Sequence, residues 1–175
     1  AHYLAKPVLI LPTLASTDAP CTAISVIYND DDTFNRYLFL SKNPDVVLAD
    51  TQILAEEPVR FFAAGVGDGL ATYFEARACY KAQKDNLILG QHGSMLKPSL
   101  IGFTIAKTCY ETIKLHAAQA VYAVKNKVVT PALEHTIEAT IYMSAVGAES
   151  GGCAAAHAIH NGMTVVDDLH GAQHG

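Results

Sequence analysis

The chain has 175 residues, a length that predicts one domain or two small domains sharing an interface. Charged residues make up 17% of it, against roughly 25% in an average soluble domain, so we expect uncovered apolar surface and therefore either a homo-oligomer or a piece of a larger fold. The net charge of -5 provides no basic field for phosphate backbones, which argues against nucleic acid as a partner. The apolar runs are far shorter than the ~18 residues of a membrane span, which argues against a membrane protein.

The four cysteines are spread along the chain without a CxxC pair. This spacing is typical of reduced intracellular thiols and favours neither a disulfide framework nor a thiolate zinc site. The start of the sequence shows no basic segment followed by an apolar one, as a secretory signal would. We therefore expect a cytoplasmic protein.

The first third of the chain has the pattern of β-strands. Residues 7–12 form an apolar run bounded by prolines, and residues 45–50 form a second run, both typical of buried strands in an α/β sheet. Between them, residues 25–28 and 36–40 flank the acidic turn 29–32, which predicts a β-hairpin.

After about residue 55 the apolar residues recur at helical spacing. Pro58 is predicted at the first position of a long helix that ends near Ala82, and residues 84–97 are predicted as a loop. Two further helices are predicted over 98–124 and 131–160, the second closed by an Asn161-Gly162 cap. The pattern therefore indicates a strand-rich part of about 55 residues and an all-helical part of about 120.

The predicted long helix contains three glycines in a span of five residues: Gly65, Gly67 and Gly69. A dinucleotide-binding loop is excluded because such a loop lies between a strand and a helix. Each helical glycine costs ~1 kcal/mol relative to alanine, so the three predict close approach of a neighbouring backbone or of a ligand. Asp68, among them, fits either a functional carboxylate or a helix carboxylate that faces solvent or pairs with a base.

Histidines are concentrated near the end of the sequence. His157 and His160 lie three residues apart on one helical face among alanines, and His170 and His174 follow. The cluster fits metal binding, but two core or surface histidines explain each pair equally well.

A polar loop, residues 15–22, directly follows the first predicted strand. In open α/β folds, ligands lie beyond the carboxyl ends of strands, and Asp18 and several hydroxyls stand at that point. An ordinary Asx or Ser/Thr turn is the alternative explanation.

Several blocks of sequence, in order over nearly the whole chain, resemble the glycerol dehydrogenases. These proteins belong to the iron-containing alcohol dehydrogenase superfamily, whose fold is like that of dehydroquinate synthase. Thr22 stands where serine is common in the family, and the loop at 84–97 is a few residues longer than its counterpart. The matching blocks are 11–28, 42–45, 49–52, 63–77, 128–134 and 149–162.

The resemblance implies a division of the chain into two parts. Residues 1–55 would be the C-terminal part of an NAD-binding α/β domain, made of the end of a Rossmann-like sheet and a β-hairpin. Residues 56–175 would be an all-α, metal-binding helical domain. The family's glycine-rich pyrophosphate loop would precede the first residue and a helical region would follow the last, so the chain would correspond to the middle half of the enzyme.

The resemblance also assigns roles to individual residues. Asp68, His157 and His174 match three metal ligands, and Asp18 matches a carboxylate that contacts the hydroxyls of glycerol. His160 matches a second histidine near the site, without a fixed role. The positions that match the nicotinamide end of the NAD site are Thr13, Ser16, Thr22, Ile24 and Tyr28.

These assignments predict an NAD-dependent oxidation of glycerol or another vicinal diol by hydride transfer. One carboxylate and two imidazoles leave a fourth position open on a divalent ion, as in catalytic rather than structural zinc sites. Iron, manganese and cobalt accept the same ligands, and the resemblance favours zinc. His157 and His174 thus join Asp18 as the predicted catalytic residues.

Two alternatives remain at the level of sequence. The chain would be a non-catalytic fragment if it binds metal or a partner but cannot hold NAD without the pyrophosphate loop. Elimination chemistry of the dehydroquinate synthase kind would require a basic cluster for a phosphorylated substrate. The few basic side chains in the first 60 residues argue against it: Lys6, Arg36, Lys42 and Arg60.

Overall fold

The computed structural model describes Leu4, residues 6–90 and residues 93–175. The predicted domain boundary at residue 55 stays a prediction. Residues 1–3 and 5 of the predicted first domain and residues 91–92 of the predicted 84–97 loop lie outside the described ranges. Within those ranges, no helix combines the length and the apolar character needed to cross a bilayer. The predicted fold class, an α/β part followed by a helical part, is confirmed.

The strand-rich part contains two small pairs of strands. β1 (Leu9–Ile10) runs parallel to β4 (Val46–Val47), and β2 (Ile24–Tyr28) pairs antiparallel with β3 (Phe34–Phe39). The predicted hairpin is confirmed. The strands predicted over 7–12 and 45–50 form regular pairing at only two residues each, because a strand extends only where a partner backbone runs beside it.

The short helix α1 (Thr51–Leu54) precedes the long helices and is capped by the Asp50 carboxylate. The long helix α2 (Val59–Ala82) starts one residue later than predicted, with Pro58 at its N-cap. It packs along α3 (Leu100–Asn126). The main core lies where α1, α3 and α4 (Pro131–Ile137) meet the start of α2. Its largest fully buried side chains are Phe62, Leu54, Leu133 and Val124.

The helix predicted over 131–160 is wrong as one continuous element. After α4 the backbone widens into a π-helical stretch, Glu138–Met143, and continues as α5 (Ser144–Gly151). The chain then breaks at Gly152, whose φ of 98° is open to glycine but disfavoured for other residues. Helix α6 (Ala155–Met163) follows.

The predicted Asn161-Gly162 cap is also wrong, because α6 continues to Met163. Asn161 makes a tertiary contact instead and donates from Nδ2 to the Tyr37 hydroxyl at 2.6 Å. Helix α6 is thereby held against the hairpin. Its start is held by Glu75 of α2, whose Oε1 accepts from the Ala154 and His157 amides at 2.7 and 3.1 Å.

The prediction of close approach at the α2 glycines is confirmed. A Cβ at Gly65 would overlap the Ala15 carbonyl oxygen, and one at Gly67 would lie 2.6 Å from the Gly175 carbonyl oxygen. At Gly69 the obstacle is the Ile113 side chain of α3, 2.6 Å away. The absence of side chains at Gly65 and Gly67 thus lets Ala15 and Gly175 lie directly on α2, beside Asp68.

Candidate metal and substrate site

Three side chains from distant parts of the chain converge beside the middle of α2. Asp68 Oδ1 lies 4.0 Å from His157 Nε2 and 3.5 Å from His174 Nε2. One possible ligand atom from each residue lies within 4.8 Å of the other two. Asp68 comes from α2, His157 from the first turn of α6 and His174 from the segment that follows, so these three packed segments create the cluster.

The charges in this cluster favour a cation. Burial raises the pKa of Asp68, but the hydrogen bond and charge of His174 outweigh it and hold that pKa below its ordinary value. For His157, burial lowers the pKa, while hydrogen bonds and charges from Cys153 and Glu75 raise it to about 12. The imidazole thus lies in a strongly negative environment, which favours positive charge at this point.

Glu75 is a functional candidate that the sequence reasoning missed. Its Oε2 accepts a 2.5 Å hydrogen bond from His157 Nδ1, the ring nitrogen opposite the one that faces Asp68. The carboxylate is only 4% exposed. Glu75 follows Asp68 by seven residues, two helical turns, so the two share a face of α2. That spacing is the signal that could have identified it.

Asp18 lies next to the cluster on the polar loop. Its backbone N–H donates to Asp68 Oδ2 at 3.3 Å, and its Oδ2 accepts from the Ser144 hydroxyl at 2.7 Å. Burial and the charge of Asp68 raise the pKa of Asp18 to about 7. Ser144, which follows the π-helical stretch, also lies 2.8 Å from the Thr72 hydroxyl of α2. Ser144, too, was missed by the sequence reasoning.

A cavity of about 630 Å³ opens over these groups, between the hairpin and the helical part. Asp18, His157 and His174 line it. Four of the five residues predicted for the nicotinamide line it as well: Ser16, Thr22, Ile24 and Tyr28. Thr13 is not among its lining residues, so the structure does not bring it to the cavity wall.

Of the remaining two histidines of the predicted cluster, one contacts the site and the other does not. His160 contacts His174, with Nε2 of the former 3.3 Å from Nδ1 of the latter. His170 lies outside the cluster, because its Nε2 is 2.9 Å from the Thr164 carbonyl oxygen. A second possible ligand group shares His157 and adds Glu75 and Cys153.

The fold is that of the iron-containing alcohol dehydrogenases. An enzyme of that description from Thermotoga maritima superposes with a TM-score of 0.66 over 93% of this chain and 39% of its own, at 19% identity. The agreement at this low identity concerns the fold alone. This structural agreement covers both the strand-rich part and the helical part of the chain.

Proteins with higher sequence identity to this chain indicate a more specific family. A glycerol dehydrogenase from Thermotoga maritima is 52% identical over the whole of this chain, which covers 46% of that protein. The structure of a probable glycerol dehydrogenase from Sinorhizobium meliloti, 40% identical, matches 99% of this chain and 47% of its own with a TM-score of 0.93. Over its whole length the chain is thus similar to glycerol dehydrogenases, and it spans about half the length of these relatives. No protein-family model matches it.

Proposed function

We propose that the protein is an NAD-dependent, metal-dependent polyol dehydrogenase that oxidises glycerol and related vicinal diols to hydroxyketones such as dihydroxyacetone. The observation that carries this proposal is the convergence of Asp68, His157 and His174 at a cavity lined by Asp18. The similarity to the glycerol dehydrogenase from Thermotoga maritima and to the probable glycerol dehydrogenase from Sinorhizobium meliloti supports it.

Asp68, His157 and His174 would hold the metal ion, which we propose to be zinc, with iron, manganese or cobalt as other ions that suit the same ligands. The donor set fits: one carboxylate held ionised and two imidazoles, with cavity space beside them. When bound, the ion supplies Lewis-acid polarisation of the substrate hydroxyl, which favours loss of the hydroxyl proton.

The chain's own residues would orient the two reactants. Asp18 projects into the cavity beside the proposed metal ligands, so its carboxyl group can hydrogen-bond the second hydroxyl of a diol and place the reacting carbon. Ser16, Thr22, Ile24 and Tyr28 would form the wall for the nicotinamide ring of NAD, the hydride acceptor. Thr13, away from this wall, would act indirectly through the loop that carries Ser16.

We further propose that the protein works in the cytoplasm as a homo-oligomer. Four free thiols support the location. Large exposed side chains such as Leu100, Ile101, Leu115 and Tyr122, each at least 64% exposed in the single chain, support the oligomer. Size-exclusion chromatography with light scattering on the full-length protein tests it, and a monomer would contradict it.

Metal analysis combined with an assay of NAD reduction tests the main proposal. We expect about one divalent ion per chain and glycerol-dependent NADH formation by the full-length protein, both lost after chelation and restored by zinc. A folded, zinc-loaded protein that does not reduce NAD with glycerol or another vicinal diol would contradict the activity. Such a result would favour a metal-binding protein without catalysis.

A further inference from the structure

We propose that Glu75 is the positioning residue of the metal centre, and that it fixes the His157 imidazole so that Nε2 is available as a ligand. The inference rests on the proposed function, because it assumes that His157 binds the metal ion. Glu75 does not reach the ion in this role. It acts through a hydrogen bond to the far side of the ring, Nδ1 to Oε2, at 2.5 Å.

The two oxygens of Glu75 have separate tasks. Oε1 accepts from two backbone amides, those of Ala154 at 2.7 Å and His157 at 3.1 Å. Oε2 accepts from the His157 ring. One buried carboxylate of α2 therefore caps the first turn of α6 and orients a side chain on that turn. No side chain of α6 itself caps this terminus.

The ring proton explains why this matters for metal binding. A metal ion binds only the neutral imidazole, so it displaces one ring proton, and a hydrogen-bond acceptor at Nδ1 holds the remaining proton there. Nε2 then keeps a free lone pair, and it faces Asp68 and His174. Carboxylates that accept from the outer nitrogen of a ligating histidine orient the ring and strengthen it as a ligand.

Glutamine at position 75 would therefore be a poor substitute despite its matching shape. The two amides at Oε1 require an acceptor, so the single amide oxygen would occupy that position. The NH2 group would then face His157 Nδ1 and compete with the ring proton. A donor at this point favours the tautomer protonated on Nε2, which cannot ligate.

The second ligand group offers a different role for Glu75. Glu75, Cys153 and His157 place three possible ligand atoms within 4.8 Å of one another, so Glu75 could itself hold an ion there. The geometry favours the positioning role, because Oε1 and Oε2 are already used by three donors.

The test measures zinc affinity by chelator competition in the full-length protein and its Glu75→Gln, Glu75→Asp and Glu149→Gln variants. Glu149 is the matched control: it also lines the cavity and accepts from the Ala23 backbone amide and the Asn43 side-chain amide, but among the described residues it makes no hydrogen bond to a histidine. We expect Glu75→Gln to weaken zinc binding ~10- to 100-fold, the range for losing such a partner. Aspartate keeps the charge and should lose less, and Glu149→Gln should match the wild type.

Cobalt substitution separates the two roles of Glu75. We expect the cobalt-loaded wild type to lack a thiolate-to-cobalt charge-transfer band, and Cys153→Ala to keep wild-type zinc affinity. A thiolate band, or metal loss in Cys153→Ala, would overturn the positioning role in favour of direct ligation. Unfolding curves of the metal-free proteins identify a variant that has lost its fold. If Glu75→Gln is such a variant, the zinc affinity of Glu75→Asp is compared with that of the wild type instead.

The outcomes also distinguish this inference from the proposed function. Wild-type zinc affinity in a folded Glu75→Gln variant would overturn the role of Glu75 and leave the dehydrogenase proposal standing. A wild-type protein that binds no zinc, iron, manganese or cobalt would remove the basis of both. Equal losses in Glu75→Gln and Glu149→Gln would overturn the specific role of Glu75, since the cause would then be a general effect of charge in the cavity.

Discussion

At the scale of single residues, the proposed ligands should be individually essential for metal binding. Asp68→Asn or His157→Ala removes one of three ligands, so we expect a loss of zinc affinity greater than the ~10- to 100-fold typical of an outer partner, and loss of turnover. Metal content after dialysis and NAD reduction would be measured together. His170→Ala is the matched control, because His170 contacts the Thr164 carbonyl instead of the cluster. Full metal content and rate in either ligand variant would refute the assignment.

Asp18 should affect substrate binding more than metal binding. Its carboxyl group faces the cavity and is held by the Ser144 hydroxyl at 2.7 Å. We expect Asp18→Ala to raise the KM for glycerol while zinc content stays intact, because its proposed role is to orient the diol. Ser144→Ala should shift the KM in the same direction by less. Unchanged steady-state kinetics in Asp18→Ala would leave Asp18 only its part in the 3-10 turn at Ala19–Cys21.

At the scale of elements, the break between α5 and α6 should be important for both stability and zinc binding. Gly152→Ala forces a side chain onto a φ of 98°, and its Cβ would lie 2.9 Å from Cys79 Sγ. Such strain costs ~1 to 3 kcal/mol, so we expect lower stability, and weaker zinc binding because His157 lies just beyond the break.

Gly162→Ala provides the control for this break. Gly162 lies inside α6, and, its own helix neighbours aside, no described residue lies within 4 Å of the position that a Cβ would take, so alanine there should be neutral or slightly stabilising. Denaturant unfolding and zinc competition on both variants decide the matter. Equal behaviour of the two would show that the geometry at Gly152 tolerates a side chain.

At the scale of the whole molecule, Glu57 should make stability depend on pH. It joins the strand-rich and helical parts, since both carboxylate oxygens accept from the Ala15 amide at 3.1 to 3.2 Å. Burial raises the pKa of Glu57 from 4.5 to about 7, and the Ala15 hydrogen bond offsets only part of that rise. Between these values the folded state binds more protons than the unfolded state, so the free energy of unfolding falls as pH rises through this window.

Glu57→Gln should remove the part of that slope that Glu57 contributes and leave the part due to Asp18, whose pKa is also raised to about 7. We expect the variant to gain stability relative to the wild type as pH rises through the window, measured by denaturant unfolding at points on both sides of it. The exposed neighbour provides the control, Glu56→Gln, which should follow the wild-type slope. A Glu57→Gln protein with the same slope would assign the pH dependence to other groups.

Local pattern was sufficient for much of the secondary structure. The hairpin, α2 and α3 follow from alternation, helical spacing and turn residues, which depend on near neighbours along the chain. The crowding at Gly65, Gly67 and Gly69 was also predicted, because three helix-weakening residues so close together require a compensating contact. The break at Gly152 was missed, since the apolar spacing of residues 131–160 continues across it.

The sequence by itself determined the fold class, and its resemblance to the glycerol dehydrogenases selected Asp18, Asp68, His157 and His174 as candidates. The tertiary structure alone decided how they are supported. Glu75 reaches His157 across 82 residues of chain, and Ser144 reaches Asp18 across 126. Periodicity reports which face of an element is buried, whereas the partner of a buried polar group depends on how distant elements pack and on the hydrogen bonds that burial requires.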